Sequence, residues 1–297
     1  MEKTIDLHIH TNISDGVLSP KEVIDTAVQN GTSIIAIADH DTIDAYSNEL
    51  FDYAEERKIT LIPAVEISTK TKKCGIHVLG YNFNLGDEHF REELSKLRNS
   101  RHDYLYNVAS KIEELGYAIN TEKLDKIEAV TKAHIANDVV SNEENADLLI
   151  KEFGHIPNKG EFIETIMNEG CPAYVKKKSI SPKEAAELIR SAGGKVVLAH
   201  PVAYKYEDGL SDEDILELVN EMEVDAIEAN YHYVDRNDNR IEESFHWREF
   251  AKKHNLLCTV GSDFHFDDGI RPIIGFKNWD IEFSNEDADK ILDYLSN

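Results

Sequence analysis

The sequence predicts an α/β barrel that is interrupted by an inserted helical subdomain. Apolar, strand-like runs alternate with amphipathic helical stretches over most of the 297 residues, which is typical of βα units. The helix-start sequence Ser-Pro-Lys-Glu occurs at 19–22 and again at 181–184, and each copy leads into a helical stretch and then a strand-like run. Between about 86 and 168 the pattern is helical, with no convincing strand.

Seven runs rich in apolar and β-branched residues are predicted strands. In chain order they are 6–10, 33–41, 59–67, 75–83, 195–201, 225–230 and 256–265. Helical stretches such as 44–57, 211–222 and 239–254 separate most of them, so we expect a parallel sheet or barrel. The barrel is assigned to 1–83 and 171–297, and the insertion to 84–170, which is a candidate substrate lid.

Composition narrows the range of functions. The formal net charge of −25 repels polyphosphate chains, so we expect no broad surface for long nucleic acids. The longest apolar run, 34–38, is far shorter than the ~20 residues of a membrane span, and no signal peptide is visible, so we expect no membrane partner. Three cysteines without CxxC spacing indicate a reducing, cytoplasmic location.

Two histidines, His8 and His10, lie in the first predicted strand. Side chains alternate along a strand, so both point to the same face. Two imidazoles on one face are either a structural coincidence or half of a metal site. The pair alone does not distinguish these alternatives.

Further imidazole and carboxylate groups lie near the other strands, and six of the nine in total are at or just after a strand's C-terminal end, where α/β enzymes build their active sites. The nine are His8, His10, Asp15, His40, Glu66, His77, His200, Asp263 and His265. Each alone has an ordinary structural explanation, and Asp15-Gly16, for example, is a common turn. Together they have the composition of a metal site.

Six motifs, in chain order, resemble those of the polymerase and histidinol phosphatase (PHP) family of metal-dependent phosphoesterases. They are DLHIHTNISDG, AIADHDT, AVEIS, IHVLGY, LAHP and GSDFH. The resemblance is greatest to small bacterial members with a helical insertion. Some of these remove the 3′-phosphate of nucleoside 3′,5′-bisphosphates or trim short oligoribonucleotides from the 5′ end. The resemblance implies a distorted (β/α)7 barrel, the PHP fold, with an inserted α-helical subdomain.

The resemblance also implies three divalent metal ions per chain, which Mn²⁺, Zn²⁺ or Fe²⁺ would suit. The first ion would be held by His8, His10, Glu66 and Asp263. Glu66 would bridge to a second ion, completed by His77 and His200, and the third would be held by Asp15, His40 and His265. Asp39 is expected to orient one of the histidines by a hydrogen bond.

The insertion contains a weaker match, VTKAHIAND at 130–138, to a family stretch in which an Arg-Pro-His segment helps to hold the substrate phosphate. The histidine is retained, but lysine and alanine replace arginine and proline, and lysine cannot make the bidentate fork of arginine. The candidate substrate-binding residues are Lys132, His134, Tyr174, Lys176 and Arg271. The alternative for each is a solvated surface group.

The implied function is hydrolysis of phosphate monoesters of small nucleotides by a hydroxide bound to a trinuclear metal centre, together with 5′-to-3′ trimming of short oligonucleotides. Glu66 and Asp263 are the implied catalytic ligands, and His232 or a metal-bound water would protonate the leaving oxygen. Histidinol-phosphate phosphatase is an alternative, which the insertion and Asp15 disfavour. A metal-binding regulatory domain without turnover is another, which the complete ligand set disfavours.

Overall fold

The computed structural model describes residues 4–296 apart from 126, 128–129, 177–178, 236–237, 280 and 282. The chain forms two compact units, here called the barrel unit (Met1–Leu94 and Ile180–Asn297) and the inserted unit (Ser95–Ser179). The sequence placed the insertion at 84–170. One continuous helix, Glu88–Glu114, crosses the first boundary, and no change in the helical pattern marks it. The assignment of these units as domains stays a prediction.

The barrel unit is built on a seven-stranded sheet. The strands of the described residues are β1 (Ile5–Ile9), β2 (Ile34–Ile37), β3 (Thr60–Lys70), β4 (Gly75–Tyr81), β5 (Lys195–Leu198), β6 (Ala226–Asn230), β7 (His232–Val234), β8 (Arg240–Glu242) and β9 (Leu257–Val260). The sheet order is β1-β2-β3-β4-β5-β6-β9. Its two edges meet where His10 N donates to Phe264 O (2.9 Å) and Asp263 N donates to His8 O (2.8 Å). The sheet is therefore nearly closed, and the predicted barrel is confirmed.

Helices connect most of the strands. The described α-helices are α1 (Pro20–Asn30), α2 (Asn48–Glu56), α3 (Glu88–Glu114), α4 (Thr121–Leu124), α5 (Lys132–Val140), α6 (Ala146–Phe153), α7 (Lys159–Phe162), α8 (Pro182–Ser191), α9 (Pro201–Glu207), α10 (Asp212–Met222), α11 (Ser244–Lys253) and α12 (Asn285–Ser296). Both Ser-Pro-Lys-Glu sequences form capping boxes, at the starts of α1 and α8. Among the described residues, no helix combines the length and the apolar character that crossing a membrane requires.

Strand β4 departs from the predicted parallel arrangement. It pairs antiparallel with both β3 and β5, whereas the other pairs in the sheet are parallel. The connection from β3 consists only of residues 71–74, which is far shorter than the dozen or more residues of a parallel crossover. The N-terminal end of β4 therefore lies at the same edge of the sheet as the C-terminal ends of its neighbours.

The short strands β7 and β8 form a separate antiparallel hairpin that the sequence did not predict. His232 pairs with Glu242 in its register, so residues 240–242 are strand, and the helix expected at 239–254 begins only at Ser244. His232 consequently lies on this hairpin and not on a strand of the barrel.

One apolar core joins all seven strands of the barrel sheet. Each strand contributes to it, through Leu7, Ala36, Ala64, Leu79, Val197, Ala226 and Val260. The alternation that places Ala36 and Ala38 of the second strand in this core continues to His40, and on β3 it continues from Ala64 to Glu66. In these two runs the polar side chains thus extend the core-facing side beyond its apolar part.

The inserted unit has a core of its own, and its described residues contain helices and no strand. Tyr104, Val108 and Ile112 of α3 pack with Ile135 of α5 and Phe162 of α7. These residues are all nearly or fully buried. The helical stretch predicted between about 86 and 168 therefore includes most of the inserted unit, which has its own apolar core.

The hydroxyl of Tyr46 ties the ends of β2 and β3 together. It accepts hydrogen bonds from Ile37 N (3.1 Å) and Ala64 N (2.8 Å) and donates to Ile37 O (2.6 Å). His40 and Glu66 follow these two strand positions within three residues. Tyr46 therefore links β2 and β3 just before the positions of His40 and Glu66.

Replacing Tyr46 with phenylalanine should lower the free energy of unfolding by about 1–3 kcal/mol, because buried backbone N–H groups lose their acceptor. Urea unfolding of the purified variant measures this. The matched control is Tyr53→Phe, whose hydroxyl bonds Asp25 near the surface and whose loss should cost less than about 0.5 kcal/mol. Equal effects of the two substitutions would contradict the assigned role of Tyr46.

Candidate metal centre

The nine histidine and carboxylate residues singled out from the sequence gather at one edge of the barrel sheet. The position of His77 in this cluster follows from the direction of its strand. His77 is the third residue of β4, and because β4 is antiparallel, its beginning lies at the edge where the parallel strands end. His8 lies on β1 and Glu66 on β3, and the segments that follow β1, β2, β5 and β9 carry the rest. The structure thus brings all nine together.

Glu66 lies at the centre of this cluster and is 1% exposed. Its Oε1 is 3.0 Å from His77 Nδ1 and 3.0 Å from His200 Nε2. Its Oε2 is 3.1 Å from His40 Nδ1, 3.3 Å from His10 Nε2 and 3.4 Å from His8 Nε2. Each carboxylate oxygen therefore faces a different set of imidazoles, as a bridging ligand would.

A second carboxylate, Asp263, faces the His8–His10 pair. Its Oδ1 is 3.1 Å from His10 Nε2 and 3.5 Å from His8 Nε2, and these two ring nitrogens are 3.1 Å apart. His8 of β1 and His10, directly after that strand, therefore point to the same side, as expected from strand alternation.

The loop after β1 brings in the third carboxylate, Asp15. Its Oδ1 is 3.2 Å from His265 Nε2 and 3.5 Å from His10 Nδ1, and its Oδ2 is 3.7 Å from His40 Nε2. Gly16 permits this approach, since a Cβ atom there would lie 2.5 Å from the carbonyl oxygen of His10. The SDG turn is therefore part of the cluster's construction and not only a common turn.

The ligand atoms fall into three groups within which all atoms are at most 4.8 Å apart. These groups are His8, His10, Glu66 and Asp263; His10, Asp15, His40 and His265; and His40, Glu66 and His77. The first matches the expected first set. The second adds His10 to the expected third set, and the third contains His40 where His200 was expected, although His200 also contacts Glu66. Which residues hold which ion stays a prediction.

The chemistry of these groups fits divalent metal ions. Imidazole nitrogens and carboxylate oxygens bind such ions at roughly 2.0–2.2 Å, so ligands of one ion lie about 3–3.5 Å apart. The separations around Glu66, 3.0–3.4 Å, are of this size. Histidine rings also crowd together, with His10 and His265 stacked at 4.1 Å between ring centres. Apolar packing would not produce such a collection of buried polar groups.

Electrostatics keep the carboxylates of the cluster anionic. Burial alone would raise the pKa of Glu66, but the neighbouring His77, His40 and His8 hold that pKa well below its usual value. The same balance of burial against histidines lowers the pKa of Asp263. Burial alone would lower the pKa of His10, but hydrogen bonds to Asp263 and Glu66 raise it to about 10.

Asp39 is buried behind the loop that carries Asp15. It accepts hydrogen bonds from Thr11 N (2.7 Å), Thr11 Oγ1 (2.7 Å) and Ser14 Oγ (2.6 Å). Ser14 Oγ in turn lies 3.4 Å from His10 Nδ1. Asp39 is therefore linked to His10 through Ser14, and its role in orienting a histidine stays a prediction.

Three groups around the cluster were not recognised in the sequence. Asp6 accepts from Ser262 N and Gly275 N, both at 2.9 Å, and burial raises its pKa to about 6. Tyr231 donates its hydroxyl hydrogen bond to Asp263 Oδ2 at 2.9 Å. Glu228 faces His8 from β6. Acidic residues inside the apolar runs IDLHI and DAIEAN were the available signal.

His232, the expected proton donor, packs its ring against Trp279 (4.7 Å between ring centres) and Phe276 (6.4 Å). Burial lowers the pKa of this imidazole, which favours its neutral form. His232 therefore packs among aromatic side chains, and its role as a proton donor stays a prediction.

The expected substrate-binding residues have other contacts. In the inserted unit, Lys132 Nζ donates to Asn168 Oδ1 (2.9 Å), and the His134 side chain closes a capping box with Thr131. Tyr174 is half-buried and Lys176 is exposed. In the barrel unit, Arg271 pairs with Asp268. A role in substrate binding stays a prediction for all five.

The fold and the clustered ligands define the class of α/β-barrel metalloenzymes. A family model described as the PHP domain matches residues 6–196. The chain belongs to the PHP domain family.

Two named proteins align with nearly the whole chain. A 5′-3′ exoribonuclease of Haemophilus influenzae is 31% identical over 91% of this chain and 92% of its own length. A 3′,5′-nucleoside bisphosphate phosphatase of Chromobacterium violaceum is 26% identical over 88% of this chain and 87% of its own length. A structure from that organism, described as an amidohydrolase with bound sulfate, aligns with a TM-score of 0.68 at 23% identity and covers 98% of this chain and 96% of its own. At that identity the structure shows a shared fold.

The raised pKa of His10 predicts how stability depends on pH when a chelator is present. A histidine whose folded-state pKa is raised to about 10 from 6.5 contributes stability that is complete below pH 6.5 and is lost as the pH rises through 10. The melting temperature in EDTA should therefore fall between pH 7 and pH 10, with a shallower fall in His10→Gln. Differential scanning calorimetry measures this, and a melting temperature that stays constant or rises would contradict it.

Proposed function

We propose that the chain hydrolyses phosphate monoesters of small nucleotides, with divalent metal ions held by the cluster around Glu66. The observation that carries the proposal is this buried carboxylate, which five imidazoles surround at 3.0–3.4 Å. The names of the relatives, a bisphosphate phosphatase and an exoribonuclease, support phosphoester hydrolysis. Three ions, drawn from Mn²⁺, Zn²⁺ or Fe²⁺, would account for the nine ligands.

The residues of the chain have distinct parts in this chemistry. Divalent ions at such a site supply positive charge for the phosphoryl oxygens and lower the pKa of water towards neutrality. Glu66 and Asp263 stay anionic beside the histidines and so oppose the accumulated positive charge. His265 Nδ1 donates to the Asp263 carbonyl oxygen (2.9 Å), which leaves its Nε2 facing Asp15. The role of His232 as a proton donor to the leaving oxygen remains a prediction from the sequence.

Trimming of short oligoribonucleotides from the 5′ end is a second candidate activity. Three relatives, at 31%, 29% and 28% identity, are named 5′-3′ exoribonucleases. The net charge of −25 disfavours tight binding of long chains, so the expected substrates are mononucleotides and short oligonucleotides. A cytoplasmic location and a substrate-selecting role for the inserted unit remain predictions from the sequence.

Phosphate release from adenosine 3′,5′-bisphosphate with Mn²⁺ tests the proposal. We expect release by the wild type and a loss of roughly 10³-fold or more in His10→Ala, because that variant removes a nitrogen near both Glu66 and Asp263. His155→Ala is the matched control, since His155 lies in the inserted unit and pairs with Glu161. Its activity should equal that of the wild type.

Two further substrates separate the alternatives. A 5′-phosphorylated short oligoribonucleotide, cleaved to mononucleotides, would support the trimming activity. Turnover of histidinol phosphate alone would reject the nucleotide proposal in favour of the histidine-pathway phosphatase. Metal binding without turnover of any of the three would favour the regulatory alternative and contradict an enzymatic role.

A further inference from the structure

Glu228 is a fully buried carboxylate directly behind the candidate metal centre. It lies on β6 and is 0% exposed. Its Oε1 and Oε2 are 3.1 and 3.2 Å from His8 Nδ1, and its Oε2 accepts a hydrogen bond from His200 N at 2.9 Å. The side chain therefore contacts two of the nine cluster residues without being one of them.

The two hydrogen-bond partners of Glu228 differ: a peptide N–H is always a donor, whereas a histidine nitrogen either donates or accepts, depending on the tautomer. The peptide N–H of His200 can only donate, so one carboxylate oxygen must accept from it. The other oxygen then requires a proton on His8 Nδ1, because an ionised carboxylate is an acceptor only. With its proton on Nδ1, a neutral His8 has its lone pair on Nε2, on the side of the ring where His10, Glu66 and Asp263 lie and a divalent ion would be held.

The backbone at Gly261 packs tightly against Glu228 and His8. Gly261, at the end of β9, packs so closely that a Cβ atom there would lie 2.1 Å from Glu228 Oε1 and 2.3 Å from His8 Cβ. Only a residue without a side chain fits beside this pair. The glycine of the GSDFH motif is thus explained by the contact of Glu228 with His8.

The bond to His200 supports a strained turn. His200 has φ 22°, in the region that favours glycine, and directly precedes Pro201 at the start of α9. Its Nε2 faces Glu66 Oε1 at 3.0 Å. By fixing the peptide of His200, Glu228 also fixes where that imidazole points.

We propose that Glu228 is a positioning residue that sets the Nδ1–H tautomer of His8 and anchors the His200 turn, so that both Nε2 atoms are available to a divalent metal ion. This inference rests on the proposed metal-dependent function. Carboxylate partners of metal-binding histidines act in this way generally, and their loss costs 10–100-fold in metal affinity.

The test is Glu228→Gln, which has nearly the same shape but only one acceptor. The amide oxygen must serve His200 N–H, so the NH₂ group faces His8 Nδ1 and forces the proton onto Nε2, towards the cluster. We expect a loss of roughly 10–100-fold in Zn²⁺ affinity, measured by competition calorimetry. The matched control is Glu243→Gln, the same chemical change at a carboxylate that binds Lys205 and Tyr206, and its Zn²⁺ affinity should be unchanged.

A second measurement does not depend on the variant folding. In the Zn²⁺-loaded wild type, ¹⁵N NMR should show a slowly exchanging Nδ1–H on His8, assigned by through-bond correlations within the His8 side chain. A His8 protonated on Nε2, or equal Zn²⁺ affinities of wild type and Glu228→Gln, would overturn the inference alone. A wild type that binds no divalent ion would instead overturn the proposed function.

Discussion

The buried carboxylate of Glu66 is the constraint on which the rest of the site depends. Five imidazole nitrogens lie within 3.4 Å of its two oxygens. They come from β1 and β4 and from the segments that follow β1, β2 and β5. A charge in this position is tolerated only if it is matched by positive groups, because an unpaired buried carboxylate is very costly. The strand ends that carry the histidines must therefore lie close enough to β3 for the imidazoles to contact Glu66. A nearly closed barrel brings these ends together.

The reversed strand β4 is part of this solution. A parallel β4 would place His77, near its beginning, at the opposite edge of the sheet from Glu66. The four-residue connection at 71–74 instead folds β4 back along β3, and Ser68 pairs with His77 two residues beyond Glu66. The distortion of the barrel thus has a direct chemical consequence, since it adds an imidazole that a regular βα unit would have placed elsewhere.

The sequence predicted the barrel and all nine members of the cluster, because those residues follow recognisable strands and recur in family motifs. It did not reveal Glu228 or Asp6. Each is an acid inside an apolar strand. Only the tertiary partners, His8 for Glu228 and the Ser262 and Gly275 peptides for Asp6, distinguish such a buried, hydrogen-bonded acid from an exposed one. The same limit applies to His232, since no local pattern in NYHY signals its packing on Trp279.

The backbone of the site is strained where ordinary turns would use glycine. Asp41, His200 and Asp263 have φ values of 51°, 22° and 52°. Such conformations cost about 1–3 kcal/mol each for non-glycine residues. Two of the three peptide N–H groups donate to cluster residues, Asp41 to the Glu66 carbonyl and Asp263 to the His8 carbonyl, and that of His200 donates to the Glu228 carboxylate behind the cluster. Glycine would relieve the strain, but it cannot carry an imidazole or a carboxylate. The strained turns and the polar side chains therefore stabilise each other, and the site is assembled as one unit.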